Sequence, residues 1–287
     1  MTVYTEYDTP RVRSYNRFVR ENRLLRRLLF RRYSGYQRTK IVHRQMVPYC
    51  TVREGDTVIQ VGATGLHYLG ISQPLIYSSL VGPRGRVFVL EPDPVGLDGL
   101  IKYINAQGVY NITVIDKAAW DRKGTEKFTF FIGHPGTNVQ SDYNRHNDAN
   151  PPGTRQALMH ERDTEVDTLD NIIREHGIGE VNHVNITVNG TEHRVFQGLR
   201  ETLRSLRSAS FVYSNWFTVE SPILAFLESS GLNVLIKHAP VSVEQKQFLV
   251  GMAAPNIGEL LPEMVKRGYP ARFEYLPESR RVEVIRV

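Results

Sequence analysis

Three short stretches carry residue types suited to holding a nucleoside. The run GDTVIQVGATG, residues 55–65, reads as an apolar strand that breaks at Gly62, Ala63, Thr64 and Gly65. Small residues at such a break let a ligand approach the backbone, and glycine reaches positive φ without strain. A plain tight turn would use the same residues, so the run alone decides little. After the next apolar run comes Glu91-Pro92-Asp93-Pro94, which sets a carboxylate where a second strand would end. A carboxylate there can accept hydrogen bonds from both hydroxyls of a ribose. Pro92 restrains the loop, and Asp93 suits a helix N-cap. The third stretch, VIDKAAWDRKG over residues 114–124, sets Asp116 and Lys117 before Ala118 and Ala119. A polar group followed by small ones can read the edge of an adenine and leave room for its ring.

These stretches need a frame, and the pattern from Gly55 onward supplies one. Apolar runs predict strands over Thr57 to Val61, Arg86 to Leu90, Asn111 to Ile115, Val184 to Val188, Ala209 to Ser214, Asn233 to Lys237 and Gln247 to Met252. Helical periodicity falls between them, at about Leu66 to Leu80, Val95 to Gln107, Leu169 to His176, Glu192 to Ser205 and Val219 to Ser230. Strands alternating with helices predict a doubly wound α/β sheet of the Rossmann-like type, covered on both faces. Gly133 to Asp163 departs from the rhythm. It is rich in Asn, Gly, Pro, Asp and His and reads as a long loop, functional or mobile. A helix near Gly258 to Arg267 and β-like runs at Arg272 to Leu276 and Arg281 to Val287 close the chain. The expected division is an Arg-rich helical extension over residues 1–50, a nucleoside-binding domain over 51–254 and a small C-terminal appendage over 255–287.

The motifs GDTVIQVGATG, LVGPRGRVFVLEPDP, NITVIDKAAWDRKG, VDTLDNII and VNITVNGTEHRVFQG, in this order and spacing, resemble the FkbM family of S-adenosylmethionine-dependent methyltransferases over about residues 52–252. The resemblance implies a sheet of seven strands with the last antiparallel. It implies S-adenosylmethionine as cofactor, lying over the carboxyl ends of the first three strands. Carried over by position, Gly62, Ala63, Thr64 and Gly65 would face the methionine part, Glu91 with Pro92 the ribose, and Asp116, Lys117 and Ala118 the adenine. The implied reaction is methyl transfer to a hydroxyl oxygen of a saccharide, glycolipid or related small molecule. Thr168, Leu169 and Asp170 match a family signature that begins the helix before the fourth strand, where Thr168 or Asp167 suits a helix N-cap.

Departures from the family pattern bear on mechanism. Gln60 stands where the family usually has Asp, and the turn reads GATGL where the family tends to read GANIG. The family's Lys-Ile-Asp-Val-Glu-Gly run corresponds to Asn185, Ile186, Thr187, Val188, Asn189 and Gly190, so both of its carboxylates are neutral here. A base that removes a hydroxyl proton contributes roughly 10²- to 10⁴-fold. Glu192, His193 and His67 are the candidates. The stretch 133–163 holds His134, Tyr143, Arg145, His146, Arg155 and His160, groups suited to a hydroxyl-rich acceptor. No metal site is expected, since no histidine pair has ligand spacing with clustered carboxylates.

Charge is uneven. Twelve of the 36 Lys and Arg residues fall in residues 1–50, against Glu6, Asp8 and Glu21. The run RVRSYNRFVRENRLLRRLLFRRY, residues 11–33, predicts a basic amphipathic helix that docks on its own domain, on a second copy in a homo-oligomer, or on an anionic membrane surface. A nucleic-acid footprint is not expected, because the remaining chain carries no basic excess. Cys50 is the one cysteine, which excludes an intrachain disulfide framework. With no long apolar run and arginines in the first 30 residues, the expectation is a cytoplasmic protein, peripheral at a membrane if the basic helix binds one. Sequons at Asn111, Asn185 and Asn189 lie on or beside core strands and are not expected to be glycosylated. Two other readings remain open: a catalytically silent relative acting as a binding or scaffold module, and a nicotinamide-dependent oxidoreductase, which the poor match to GxGxxG at residues 62–67 disfavours.

Overall fold

The computed structural model describes residues 49–63, 73–131, 139–140, 159–188, 190–214, 222–238, 248–266, 272–276 and 281–285. Parallel strands β1 (Thr57–Val61), β2 (Arg86–Leu90), β3 (Ile112–Ile115), β8 (His183–Ile186) and β9 (Ser208–Ser214) form the centre of the main sheet. Beyond β9 lie β11 (Phe248–Ala254) and β10 (Asn233–His238), with β11 antiparallel to both neighbours. These are the seven strands expected from sequence, with the last in chain order antiparallel. The C-terminal strands β12 (Arg272–Leu276) and β13 (Arg281–Ile285) continue the same sheet, giving nine strands in the order β12-β13-β10-β11-β9-β8-β1-β2-β3.

Alternation of side chains across the pleat divides the core. One face of the sheet presents Ile59, Val61, Phe88, Leu90, Val184, Ile186 and Phe211 to α3 (Leu169–Glu175), α4 (Glu192–Gln197) and α5 (Pro222–Ser229). The other presents Val58, Val87, Val89 and Ile112 to α1 (Gln73–Val81) and α2 (Pro94–Gln107). A third cluster joins Leu235 and Met252 to Leu260 and Met264 of α6 (Ile257–Lys266). Helix α2 starts where the sequence says it should. Asp93 caps it by accepting the Val95 amide at 2.9 Å, Pro94 fills its first position, and Gly108 ends it in the left-handed conformation at φ 64°.

Two expectations are corrected. The helix expected over Glu192 to Ser205 ends at Gln197, and a 3-10 turn occupies Thr202–Arg204. Gly198 ends the helix, and a Cβ on it would lie 1.9 Å from the Trp120 carbonyl oxygen, so only glycine fits where the chain passes that residue. Asp170 then takes the Glu201 and Thr202 amides at 2.8 and 3.0 Å. The stretch expected as a loop over Gly133 to Asp163 holds strand residues at both described places: β6 (Val139–Gln140) and the start of β7 (Met159–Thr168). With β4 (Ala118–Trp120) and β5 (Gly124–Phe131) they make a second, four-stranded sheet in the order β4-β7-β5-β6. Its buried cluster is Ala118, Trp120, Phe128, Phe130 and Val166. Residues 1–48, the basic extension, lie outside the described residues. Among the described residues no helix is long and apolar enough to cross a membrane.

Candidate nucleoside site

Strand β1 leads straight into the bend foreseen from sequence. Gly62 takes φ +79°, and a Cβ there would lie 2.2 Å from the Thr187 carbonyl oxygen. Glycine is therefore required by conformation and by space. Thr64, Gly65 and His67 lie outside the described residues.

The peptide joining Gly62 to Ala63 is held at both ends. Its N–H, on Ala63, donates to Glu91 Oε2 at 2.6 Å. Its carbonyl oxygen accepts from Gln60 Nε2 at 2.6 Å and from Thr187 Oγ1 at 3.2 Å. Glu91 Oε1 accepts the Asp93 amide at 2.9 Å. The carboxyl at the end of β2 is thus turned toward the bend at the end of β1, and only 5% of Glu91 is exposed. Burial pushes its pKa up to about 8, against the lowering effect of the two amides. Each carboxylate oxygen accepts one described amide, which leaves further acceptor capacity. These features fit a nucleoside whose ribose hydroxyls donate to Glu91.

The third stretch divides. Asp116 is exposed at the carboxyl end of β3, and its charge is among the influences that raise the Glu91 pKa. Lys117 reaches away to Glu165 and Glu175, at 3.2 and 2.9 Å. Ala118 is buried in the small sheet. Pro92 lies between the Glu91 carboxyl and the capping Asp93.

At the carboxyl end of β8 the loop turns through Gly190, φ +104°, into α4. Glu192 is 7% exposed, and its two oxygens accept the Val188 amide at 3.3 Å and the Gly190 amide at 2.9 Å. Burial raises its pKa to about 7. His193 is half-buried, and its pKa is lowered by desolvation and then by Arg194. The two candidates therefore differ in environment, Glu192 facing its own loop and His193 partly facing solvent.

Sequence reasoning missed a buried polar network beneath the bend. Gln60, Asn185 and Ser210 are register partners on β1, β8 and β9, as are His183 and Ser208 two residues earlier on β8 and β9. Ser210 Oγ donates to Asn185 Oδ1 at 2.6 Å, and Asn185 Nδ2 donates to Gln60 Oε1 at 2.7 Å. His183 bonds Ser208 at 2.8 Å and Ser210 at 3.1 Å, and Ser208 bonds Thr51 at 2.8 Å. Burial holds His183 neutral, its pKa lowered to about 3. The signal was present: polar residues at alternate positions of β8 and β9, and Gln60 within the apolar run of β1, share one face. Asn185 is thus 2% exposed and engaged, as is Asn111, which is 9% exposed and donates to the Ser78 and Gly82 carbonyls. Among the described residues no group of three or more His, Cys, Asp or Glu could hold a metal ion.

The VDTLD stretch builds the start of α3. Thr168 Oγ1 caps α3 by accepting the Asn171 amide at 3.2 Å, as expected. Asp167 is fully buried and accepts the Thr168 amide and Asn171 Nδ2.

A family profile, the methyltransferase FkbM domain, matches residues 60–270. No curated protein matches the chain. Similar crystal structures include Aeropyrum pernix fibrillarin with natively bound S-adenosyl-L-methionine, at TM-score 0.44 and 14% identity over 77% of this chain and 76% of that one. The methyltransferase FkbM of Methylobacillus flagellatus gives TM-score 0.41 and 14% identity over 83% and 60%. The precorrin-6y C5,15-methyltransferase of Geobacter metallireducens gives 0.40 and 15% over 71% and 82%.

Proposed function

Because this chain belongs to the FkbM methyltransferase domain family, we propose that it binds S-adenosylmethionine over the carboxyl ends of β1, β2 and β3 and methylates a hydroxyl of a saccharide, glycolipid or related small molecule. The observation that carries this reading is the buried Glu91 carboxyl turned to the Gly62–Ala63 bend. When bound, the cofactor supplies an electrophilic methyl group on sulfur. Glu91 would hold its ribose, Gly62 and Ala63 would line its methionine part, and Asp116 would stand at its adenine edge.

The remaining task for the protein is alignment and proton removal. Glu192 is the base we assign. It lies just past the carboxyl end of β8, and a pKa of about 7 suits proton abstraction near neutral pH. His193, half-buried with a lowered pKa, is the second choice. The basic segment 11–33 is proposed to bring the enzyme to an anionic membrane surface, which suits a lipid-linked acceptor. Co-sedimentation with phosphatidylserine vesicles tests that, and binding unchanged at high salt would refute it.

Titration calorimetry with S-adenosylmethionine tests the central reading. Micromolar to sub-millimolar binding is expected, weakened at least tenfold in Glu91→Ala. No heat at millimolar cofactor would sink it. The neutral Gln60 and Thr187 also favour a second reading, a cofactor-binding relative without turnover. Isotope-labelled methyl transfer into extract small molecules separates the two.

A further inference from the structure

We propose that Gln60 is a positioning residue that aims the Glu91 carboxyl at the nucleoside through the single peptide between Gly62 and Ala63; this rests on the cofactor reading above. Gln60 is fully buried. Its Nε2 faces the Gly62 carbonyl at 2.6 Å, Thr187 Oγ1 at 3.1 Å, Gln73 Oε1 at 3.2 Å and the Val61 carbonyl at 3.3 Å. Backbone carbonyls can only accept, so this end of the side chain must donate. A carboxylate here would set its oxygen against the carbonyl oxygens of Val61 and Gly62.

The opposite end of the same side chain is equally constrained. Gln60 Oε1 accepts from Asn185 Nδ2, and Asn185 Oδ1 accepts in turn from Ser210. The amide therefore cannot rotate by half a turn without setting its oxygen against the Val61 and Gly62 carbonyls. Its direction carries into the bend: with the carbonyl of the 62–63 peptide drawn toward Gln60 and Thr187, planarity forces the N–H to point the other way. That N–H is the one Glu91 Oε2 accepts at 2.6 Å. A carboxyl that is 5% exposed has few partners with which to hold an orientation, and here the described ones are two backbone amides. Gln60 thus sets the direction of one of them without touching a ligand.

The test uses the full chain and S-adenosylhomocysteine as probe. Gln60→Glu keeps the shape and removes the donor. Its affinity should fall at least tenfold, and the Ala63 amide should exchange with deuterium at least tenfold faster in the unliganded protein. In a Glu91→Gln background the same change should cost less than twofold more, because the residue acts through Glu91. An additive loss in that background would mean that Gln60 merely packs, and would overturn the proposal. Thr187→Val removes the second donor to the Gly62 carbonyl at nearly constant volume. It should give a smaller loss of the same kind, and serves if Gln60→Glu fails to fold; no change in affinity or exchange would overturn the proposal. Undiminished affinity in Glu91→Gln and Glu91→Ala would refute the cofactor reading and this proposal with it. Weakened Glu91 variants beside an unaffected Gln60→Glu would refute this proposal alone.

Discussion

Asn185 and Gln60 stand opposite each other on β8 and β1 and share a hydrogen bond of 2.7 Å between two neutral amides. Both are buried, at 2% and 0% exposure, so the pair has little water to fall back on. A neutral pair of this kind tolerates a full charge on neither partner.

Asn185→Asp is therefore expected to destabilise the fold by about 3 kcal/mol at pH 8, since it buries a carboxylate against Gln60 Oε1. The loss should shrink on acidification as the new carboxyl takes up a proton. Denaturant melts at pH 5 and pH 8 measure both, and equal losses at the two values would refute the account.

Stability should also depend on pH in two opposed ways. Glu91 and Glu192 have pKa values raised from 4.5 to about 8 and about 7 by burial. The folded state holds their protons more tightly, so their contribution is full below pH 4.5 and is lost as pH rises toward 8. His183 is lowered from 6.5 to about 3. Its contribution is present above pH 6.5 and is lost as pH falls toward 3. Between pH 6.5 and 8 only the carboxylates act in this set, and the melting temperature should fall with rising pH. Glu91→Gln should flatten that limb, and a wild-type slope of the opposite sign would contradict the assignment.

Gly62→Ala should cost about 2 kcal/mol of stability and abolish measurable cofactor binding. The added methyl would meet the Thr187 carbonyl, and φ +79° is strained for any side chain. Thermal shift with and without S-adenosylhomocysteine reads both effects. A ligand-induced shift equal to wild type would exclude the bend from the site.

Glu192→Gln separates chemistry from binding. It should leave cofactor affinity within threefold while lowering kcat by about 10²-fold or more, and should remove the acid limb of the pH–rate profile. An unchanged profile would shift the role of base away from Glu192.

Thr168→Ala removes the cap that accepts the Asn171 amide. A loss of about 1 kcal/mol is expected, a few degrees in melting temperature, with Thr168→Ser close to wild type. Cofactor affinity should not move.

Much of the frame was legible in the chain before any coordinates. The strands Thr57–Val61 and Arg86–Leu90, the cap and terminal glycine of α2, and the bend at Gly62 follow from local rules: apolar runs, side-chain caps and positive φ. The carboxylate at position 91 could be placed at a strand end for the same reason, since the apolar run Arg86–Leu90 stops just before it, and parallel neighbours present their carboxyl ends at the same edge of the sheet. The small sheet was not legible, because residues of β5 pair with residues of β7 that lie 28 to 42 positions further on, and each alone reads as polar loop or irregular chain.

The network under the bend belongs wholly to the tertiary structure. Gln60, Asn185 and Ser210 are far apart in sequence and nothing in the sequence links them, and only the pairing register of β1, β8 and β9 sets them in one row. What the chain determines alone is which backbone conformations are cheap and which residues prefer the interior. Which buried polar groups meet is decided by strand order and register, because hydrogen bonds of 2.6–2.7 Å demand a placement that no local preference specifies.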